Sequence, residues 1–239
     1  MAEEIFDIVD AKGVPTGETV TRAQAHEDGT PHRTAHIWVI RENEGRTEVL
    51  LQKRAMNKDS FPGRYDTSSA GHIQAGDEPL ESAIRELSEE LGIYAKADDL
   101  EFVGTFPIQY EKEFHGSPFK DNEIAFVYVY RGDVDITKLE IQKEELDSVE
   151  WFDLEEVYAA CQPPRDEKYC VPMGGLEMIR NYVKEEQEED NLSYGMVIGM
   201  CCGLAIGTAI DVSSNSGHIW MIIGMGLGML VGMLAGRHR

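Results

Sequence analysis

The chain has 239 residues, 44 acidic and 22 basic, for a formal net charge of -22. That balance excludes a nucleic-acid backbone as partner, because phosphate binding needs a basic surface, and it suits a protein that uses cations. The length allows one sizeable domain plus an appendage. Cys161, Cys170, Cys201 and Cys202 show no CxxC spacing, and two are adjacent in an apolar run. They argue against a disulfide framework and for a reducing compartment. The first ten residues, MAEEIFDIVD, lack the basic segment and apolar core of a secretory signal.

Residues 4–9 alternate apolar and polar as a first strand, and 11–17 read as a turn. Residues 21–26 predict a short helix capped by Thr21. Residues 36–40 and 48–52 predict paired strands around a polar tip at 42–45. Lys53 and Arg54 then form a basic cluster in an acidic chain. They are candidate substrate contacts for a diphosphate, with a solvated strand end as the alternative. Residues 61–66 form a loop that leads into a short strand.

The stretch 71–93, GHIQAGDEPLESAIRELSEELGI, is the centre of the chain. On a helix, Glu86, Glu89 and Glu90 stand at i, i+3 and i+4 and share one face. Like charges on one turn repel unless a cation sits among them, and carboxylate oxygens suit Mg²⁺ or Mn²⁺. Leu80, Ala83, Ile84, Leu87 and Leu91 fall on the core-facing side. Gly71 and Gly76 lie in the loop ahead, where backbone approaches a ligand closely, and Gly92 ends the helix. The competing reading is an acidic surface helix.

Residues 100–107 and 123–130 read as strands. The second is apolar on both faces and predicts burial on both. The polar stretch 109–120 reads as a substrate lid. Phe61, Tyr65, Phe106, Tyr110, Phe114 and Phe119 read mainly as core, with base stacking as the alternative. Residues 149–152 predict another strand, and 154–160 and 175–186 predict helices. The whole is an α+β arrangement, a mixed sheet between helices in an α/β/α sandwich.

The composition changes at a charged stretch, 184–191, read as a linker. Two apolar runs follow, 194–210 and 219–235, separated by the turn-rich 211–218. Glycines recur every fourth residue, at Gly195, Gly199, Gly203 and Gly207, then at Gly224, Gly228, Gly232 and Gly236. Glycine at that density weakens a helix in water but lets two helices approach closely in lipid. Residues 194–236 therefore predict a transmembrane helical hairpin that resembles a glycine zipper. Tyr194 and Trp220 lie at ends of the runs, where aromatic belts form, and Arg237, His238 and Arg239 predict cytoplasmic termini. The alternative is a soluble or interfacial helical pair, or a self-assembly module. Outward-facing glycines would also allow a homo-oligomer. The expected domain plan is 1–186, a catalytic head in the cytoplasm; 187–193, an acidic linker; and 194–236, the membrane hairpin.

Gly71, five residues, Asp77, seven residues, then Arg85-Glu86-Leu87, Glu89-Glu90 and Gly92-Ile93 resemble the Nudix box, with Asp77 where the box usually has Glu. The resemblance implies a Nudix fold and a divalent-metal-dependent hydrolase. Its substrate would be a small-molecule diphosphate, either a nucleoside diphosphate linked to another group or a related compound. It implies metal ligation by Glu86, Glu89, Glu90, the Gly71 carbonyl and Glu123. Glu89 and Glu86 would be catalytic, with Arg85 orienting a glutamate and Asp77. Outside the box, residues 13–17, His26 and His32, 53–55, 61–63, 70–72 and 121–123 resemble the type 1 isopentenyl-diphosphate isomerases. That branch implies a second metal site at His26, His32, His72, Asp121 and Glu123. The branch's catalytic cysteine position holds Ala70, which has no proton to give or take. A hydrolase is therefore the expected activity, with an isomerase-like enzyme and a non-catalytic nucleotide-binding sensor as the other readings.

Overall fold

A computed structural model describes residues 3–58, 60–114, 116–214 and 218–237. Strand β1 (Ile5–Val9) pairs antiparallel with β2 (Pro15–Thr21). The turn between them is tied by Asp10 Oδ1, which accepts the N–H groups of Lys12 at 2.8 Å and Val14 at 2.9 Å. The expected turn at 11–17 is thus shorter, and β2 takes its second half. The mostly exposed PTGETVT segment is a strand because β1 offers it an edge, and its own pattern signals none. Helix α1 (Arg22–Asp28) starts at Thr21, whose hydroxyl accepts the Gln24 N–H, and stops at Gly29 with φ 74°.

Strands β3 (His32–Asn43) and β4 (Arg46–Arg54) form a hairpin in register Ile40 to Val49, longer at both ends than expected. Then come β5 (Tyr65–Asp66), β6 (Ser69–His72) and helix α2 (Pro79–Leu91), followed by β7 (Leu100–Phe114), β8 (Ser117–Tyr130), β9 (Leu146–Asp153) and α3 (Leu154–Ala160). The main sheet runs β5-β4-β3-β8-β7, with β6 also on β3 and β9 also on β4. The β3–β8 pair is parallel and the others are antiparallel, so the sheet is mixed. The two-faced apolar run of β8 sits beside β3, with Ala125, Val127 and Val129 almost fully buried.

The lid expected at 109–120 is instead a hairpin extension. β7 and β8 pair from Leu100 and Tyr130 out to Phe114 and Ser117. Pairing satisfies the backbone N–H and C=O groups that a free loop would leave to water. Tyr110, Lys112 and Phe114 lie at every second position and share one face of the ladder.

The core is set by alternation along β3. Ala35, Ile37 and Val39 face α2 and pack with Ala83, Leu87 and Leu91, all six fully buried. Trp38 points the other way, towards the start of helix α4 (Met173–Ser214), where Gly175 approaches its ring and Leu176 and Ile179 are buried. Gly92, at φ 66°, closes α2 with N–H bonds back to Leu87 and Ser88.

The loop ahead of α2 is latched from β1. Asp7 Oδ2 accepts from Arg33 Nη2 at 2.8 Å and from the Gly76 N–H at 3.0 Å. The same Arg33 nitrogen donates to the Asp77 carbonyl at 3.2 Å, and the Ala75 N–H donates to the Ile5 carbonyl at 2.8 Å.

Residues 181–239 form a second compact unit. The acidic stretch 187–193 is helical, as part of α4, in keeping with the helix propensity of Glu, Leu and Gln. Helix α5 (Ile219–Gly236) follows, and both helices are long and apolar enough to cross a membrane. Their glycines face one another. A Cβ at Gly195, Gly199 or Gly203 would overlap the carbonyls of Gly232, Gly228 or Gly224, respectively. Asp211 is buried at the end of α4, where its carboxylate accepts the N–H groups of Trp220 at 3.1 Å and Met221 at 2.9 Å. Those N–H groups open α5 and have no partner within their own helix. Residues 215–217 of the expected turn, and His238 and Arg239, lie outside the described residues.

The latch makes a prediction. Asp7→Ala leaves Arg33 buried without its counter-charge and should lower stability by about 3 kcal/mol. The urea midpoint, followed by tryptophan fluorescence, reads this directly, and a midpoint equal to that of the parent would remove the latch from the account.

Candidate functional site

Strand β6 divides the site. It pairs with β3 in register Thr34 to His72 and Ala35 to Gly71, so successive side chains point to opposite faces of the sheet. On one face is α2. A Cβ at Gly71 would overlap the Glu86 carboxyl, so glycine is what lets the helix acids come this close. The Ala70 N–H donates to Glu90 Oε2 at 3.2 Å, and the His72 carbonyl accepts from Arg85 Nη2 at 3.3 Å.

Glu86 and Glu90 are largely buried, whereas the Glu89 side chain is 53% exposed. Arg85 Nη1 lies 2.8 Å from Glu86 Oε1 and 3.1 Å from Glu89 Oε2. Burial pushes the Glu86 carboxyl up to about 7 against the pull of Arg85, and pushes Glu90 up to about 8. Two buried carboxylates one turn apart, beside a backbone cradle that a Cβ would fill, are a donor set that fits a hard divalent cation. Arg85 meets Glu86 and Glu89 as expected but not Asp77. The shorter Asp77 contributes its carbonyl to Arg33 instead.

On the other face of β6, four elements converge. α1 supplies His26, β3 supplies His32, β6 supplies His72, and β8 supplies Asp121 and Glu123. The parallel register sets His32 beside Glu123. Ligand atoms of His26, His32 and His72 lie within 4.8 Å of one another, as do those of His32, Asp121 and Glu123. Glu123 Oε1 is 3.8 Å from His32 Nε2 and 3.7 Å from His72 Nε2, and Asp121 Oδ1 is 3.8 Å from His26 Nδ1. Phe6 stacks on His32 and His72, and Phe119 stacks on His26.

Burial takes His26 down to about 4 and His72 to about 3, so both imidazoles are neutral near pH 7. Burial and the charge of Glu123 push Asp121 up. Burial also works against the Glu123 charge, but His36, His72 and His32 together hold that carboxyl well below its usual range. Among the described residues, both ring nitrogens of His26, the Nε2 atoms of His32 and His72, and Asp121 Oδ1 are buried without a hydrogen-bond partner. Buried polar atoms are normally satisfied. Neutral imidazoles and carboxylates with orphaned lone pairs fit a divalent metal, which takes these forms as ligands.

The structure groups Glu123 with the histidines; the acids of α2 lie against the Ala70–Gly71 side of β6. It also adds residues. His36 Nε2 lies 3.9 Å from Glu123 Oε2, and the Thr34 hydroxyl donates to the same oxygen at 3.1 Å. The alternation His32, Thr34, His36 along one strand face was the available signal for both. Tyr110 pairs across the ladder with Asp121, and its hydroxyl is pushed up by burial and by that acid; only the tertiary register reveals it. Arg54 is committed elsewhere, donating to the Ser60 carbonyl at 3.0 Å, the Ser60 hydroxyl at 3.0 Å and Asp66 at 3.3 Å. These bonds tie Arg54 to its own loop. Lys53 stands in β4 between Tyr65 and Ser148.

The mixed sheet thus carries a strand–loop–helix acid cluster on one face of β6 and a buried histidine–carboxylate cluster on the other, two donor sets of the kind that could hold a divalent cation. The NUDIX domain matches residues 30–170, more than half of the chain, and the chain belongs to the Nudix hydrolase family. Nudix hydrolase 3 of Arabidopsis thaliana is 40% identical over 158 residues, covering 65% of this chain and 20% of that protein. The matched part thus spans a fifth of that relative's length. An uncharacterized Nudix hydrolase of Clostridium acetobutylicum is 36% identical over 157 residues, covering 66% of this chain and 73% of the relative. An isopentenyl-diphosphate Delta-isomerase of Dinoroseobacter shibae is 27% identical over 174 residues, covering 71% and 86%.

The acid cluster has a pH signature. Without a cation, the folded protein keeps its Glu86 and Glu90 protons to about 7 and about 8, while unfolded carboxyls release theirs near 4.5. The folded state binds more protons across that window, so stability falls as pH rises through it. His26 and His72 have the opposite slope, but only below their ordinary value of 6.5. In chelator, the melting temperature should therefore fall between about pH 7 and 8.5. Glu90→Gln should flatten the slope, and Mg²⁺ should raise the curve most at its alkaline end. A flat profile in the parent would contradict this electrostatic picture.

Proposed function

We propose that the protein is a divalent-metal-dependent hydrolase of a diphosphate linkage in a nucleoside diphosphate derivative or related organic diphosphate. The observation that carries the reading is the burial of Glu90 and near-burial of Glu86 against Ala70 and Gly71, a costly arrangement that the Arg85 ion pair and one backbone N–H offset only in part. Glu86, Glu89, Glu90 and the Gly71 carbonyl would hold Mg²⁺ or Mn²⁺. A cation bound there supplies neutralisation of the phosphate charge and acidifies a water to near-neutral pKa. Glu89, the most exposed of the three, takes the proton as water attacks phosphorus and the bridging P–O bond breaks. Arg85 holds Glu86 and Glu89 in place and does not touch substrate. His26, His32, His72, Asp121 and Glu123 would hold a second metal ion, a role supported by their orphaned ligand atoms.

An isopentenyl-diphosphate isomerase is the second reading, favoured by the histidine–carboxylate cluster and by the isomerase-named relative. Against it stands Ala70, whose methyl has no proton to exchange at the position that the resemblance gives to the catalytic cysteine.

We further infer that residues 1–186 are the catalytic domain, joined through the acidic 187–193 to a membrane hairpin at 194–236 that packs as a glycine zipper. Support comes from the all-round apolar surface of the hairpin, with Val197, Ile198, Leu204, Ile206, Ile222, Leu227, Leu230 and Leu234 exposed, and from the facing glycines. A helix apolar on every side needs lipid or protein around it. Arg237, His238 and Arg239 after the second run favour a cytoplasmic head.

Phosphate release from a panel of nucleotides, nucleotide sugars, dinucleotides and isopentenyl diphosphate, with Mg²⁺ or Mn²⁺, tests the activity. Glu90→Gln should lower turnover by about 100-fold or more, and unchanged turnover would remove the metal assignment. For the anchor, the full chain should sediment with membranes while a chain ending at Glu186 stays in the supernatant. Equal partition of the two would refute tethering.

A further inference from the structure

On the sheet face turned away from α2, three aromatic rings surround one cation. In β9, Trp151 packs against the core that α2 shares, so strand alternation turns its neighbours Glu150 and Phe152 to the opposite face. Tyr65 of β5, and Tyr169, which bridges to it in parallel, complete the group. Lys168 Nζ stands 4.6 Å from the Phe152 ring centroid, 5.1 Å from that of Tyr169 and 5.2 Å from that of Tyr65. The Phe152 plane is inclined 72° to Tyr65 and 78° to Tyr169, and the two tyrosines meet at 46°. Rings that only fill space present edges to faces. Here all three faces are turned to one point, and a cation occupies it.

The lysine is not what holds its own segment in place. The Lys168 carbonyl accepts the Tyr65 N–H at 2.9 Å, and the Cys170 N–H donates to the Tyr65 carbonyl at 2.8 Å. The Lys168 N–H goes to Asp166 Oδ1 at 2.9 Å. Backbone bonds thus strap this segment to β5, and the lysine side chain is free to swing away without undoing them. It is exposed, whereas Tyr65 and Tyr169 beneath it are 8% and 6% exposed. Among the described residues Lys168 has no carboxylate within ion-pair distance, although the chain has 44 acids and Lys58 and Lys138 each find one. Its ammonium is left to the rings alone. The Tyr65 hydroxyl donates to Glu150, which sets negative charge at the rim and polarises the ring towards a cation.

We propose that Tyr65, Phe152 and Tyr169 form an aromatic cage for a quaternary ammonium group, and that Lys168 is its built-in plug. Ring faces attract positive charge but offer no hydrogen-bond acceptor. A primary ammonium has three N–H donors and gives up part of its hydration to lie there. A trimethylammonium group has no N–H to leave unsatisfied, and its methyl groups gain from contact with the rings. It therefore displaces the lysine, whose long stem carries the charge out to water. The cage lies on the sheet face opposite the α2 acids, so its ligand binds independently of a cation at Glu86 and Glu90.

The probe is tetramethylammonium chloride, titrated into the full chain in maltoside micelles. Saturation transfer to its methyl protons gives the Kd. Lys168→Ala should bind the probe about tenfold more tightly than the parent, because the plug no longer competes. In the Lys168→Ala background, Phe152→Leu should weaken binding by about tenfold, while Phe152→Tyr, which keeps a ring, should retain it. Lys168 is exposed, so the first comparison stands even where a Phe152 variant fails to fold. An equal Kd in the parent and Lys168→Ala, or full binding by the Phe152→Leu double variant, would overturn the cage. Displacement of the probe by ammonium chloride at the same concentration would overturn its preference for a quaternary group. Phosphocholine and phosphatidylcholine bicelles then compete with the probe in separate arms. Displacement by phosphocholine alone assigns the cage to a soluble ligand, and displacement by the bicelles assigns it to a lipid headgroup. Displacement by neither would remove the trimethylammonium assignment.

Discussion

Glu86 and Glu90 are pressed against strand β6, one turn apart on α2 and largely out of water, and much of the surrounding structure exists to make that burial tolerable. A carboxylate removed from water without a counter-charge costs more than its hydrogen bonds return, which is why burial pushes both carboxyls far above their ordinary values. Arg85 offsets part of the charge, the Ala70 N–H offers one bond, and Gly71 vacates the space that a side chain would occupy. None of these neutralises the pair. The fold accordingly spends rigidity on the neighbourhood. Ala83, Leu87 and Leu91 anchor the opposite side of α2 in the core, and Asp7 with Arg33 fixes the loop that leads into it.

The second cluster solves a related problem with different chemistry. Burial keeps the His26 and His72 imidazoles neutral, so these two add no charge to a site that already holds Asp121 and Glu123. Because β6 is a four-residue strand with period-two alternation, it presents its Gly71 edge to the helix acids and its His72 ring to the histidines. A shift of one residue in its pairing with β3 would exchange those faces and dismantle both clusters at once. The register Thr34 to His72 is therefore as much a part of the site as any ligand.

The second unit is organised by backbone contact. Glycine seams allow close approach of two helices whose remaining surface is apolar, and such packing gains from van der Waals contact where water is absent. Asp211 is the exception in that surface, and its position explains it. Its carboxylate caps the first N–H groups of α5, which a helix start leaves unsatisfied.

The box from Gly71 to Ile93 was legible from residue order, because helical spacing is local and three acids at i, i+3 and i+4 can face only one way. The apolar strands, Thr21 as a cap, Gly92 as a stop and the two glycine-spaced helices were legible for the same reason. What depended on pairing between distant strands was not. The stretch 109–120 looked like a polar lid and is a ladder. Arg54 read as a diphosphate contact or a solvated strand end, and its bonds to Ser60 and Asp66 were not legible. His36, Thr34 and Tyr110 joined the site only through the registers of β3 with β8 and of β7 with β8. Sequence alone determined the family signature and the local geometry of its helix, since both arise from neighbours along the chain. The tertiary structure alone decided which acids share a face with which histidines, since that depends on segments many residues apart meeting in one sheet.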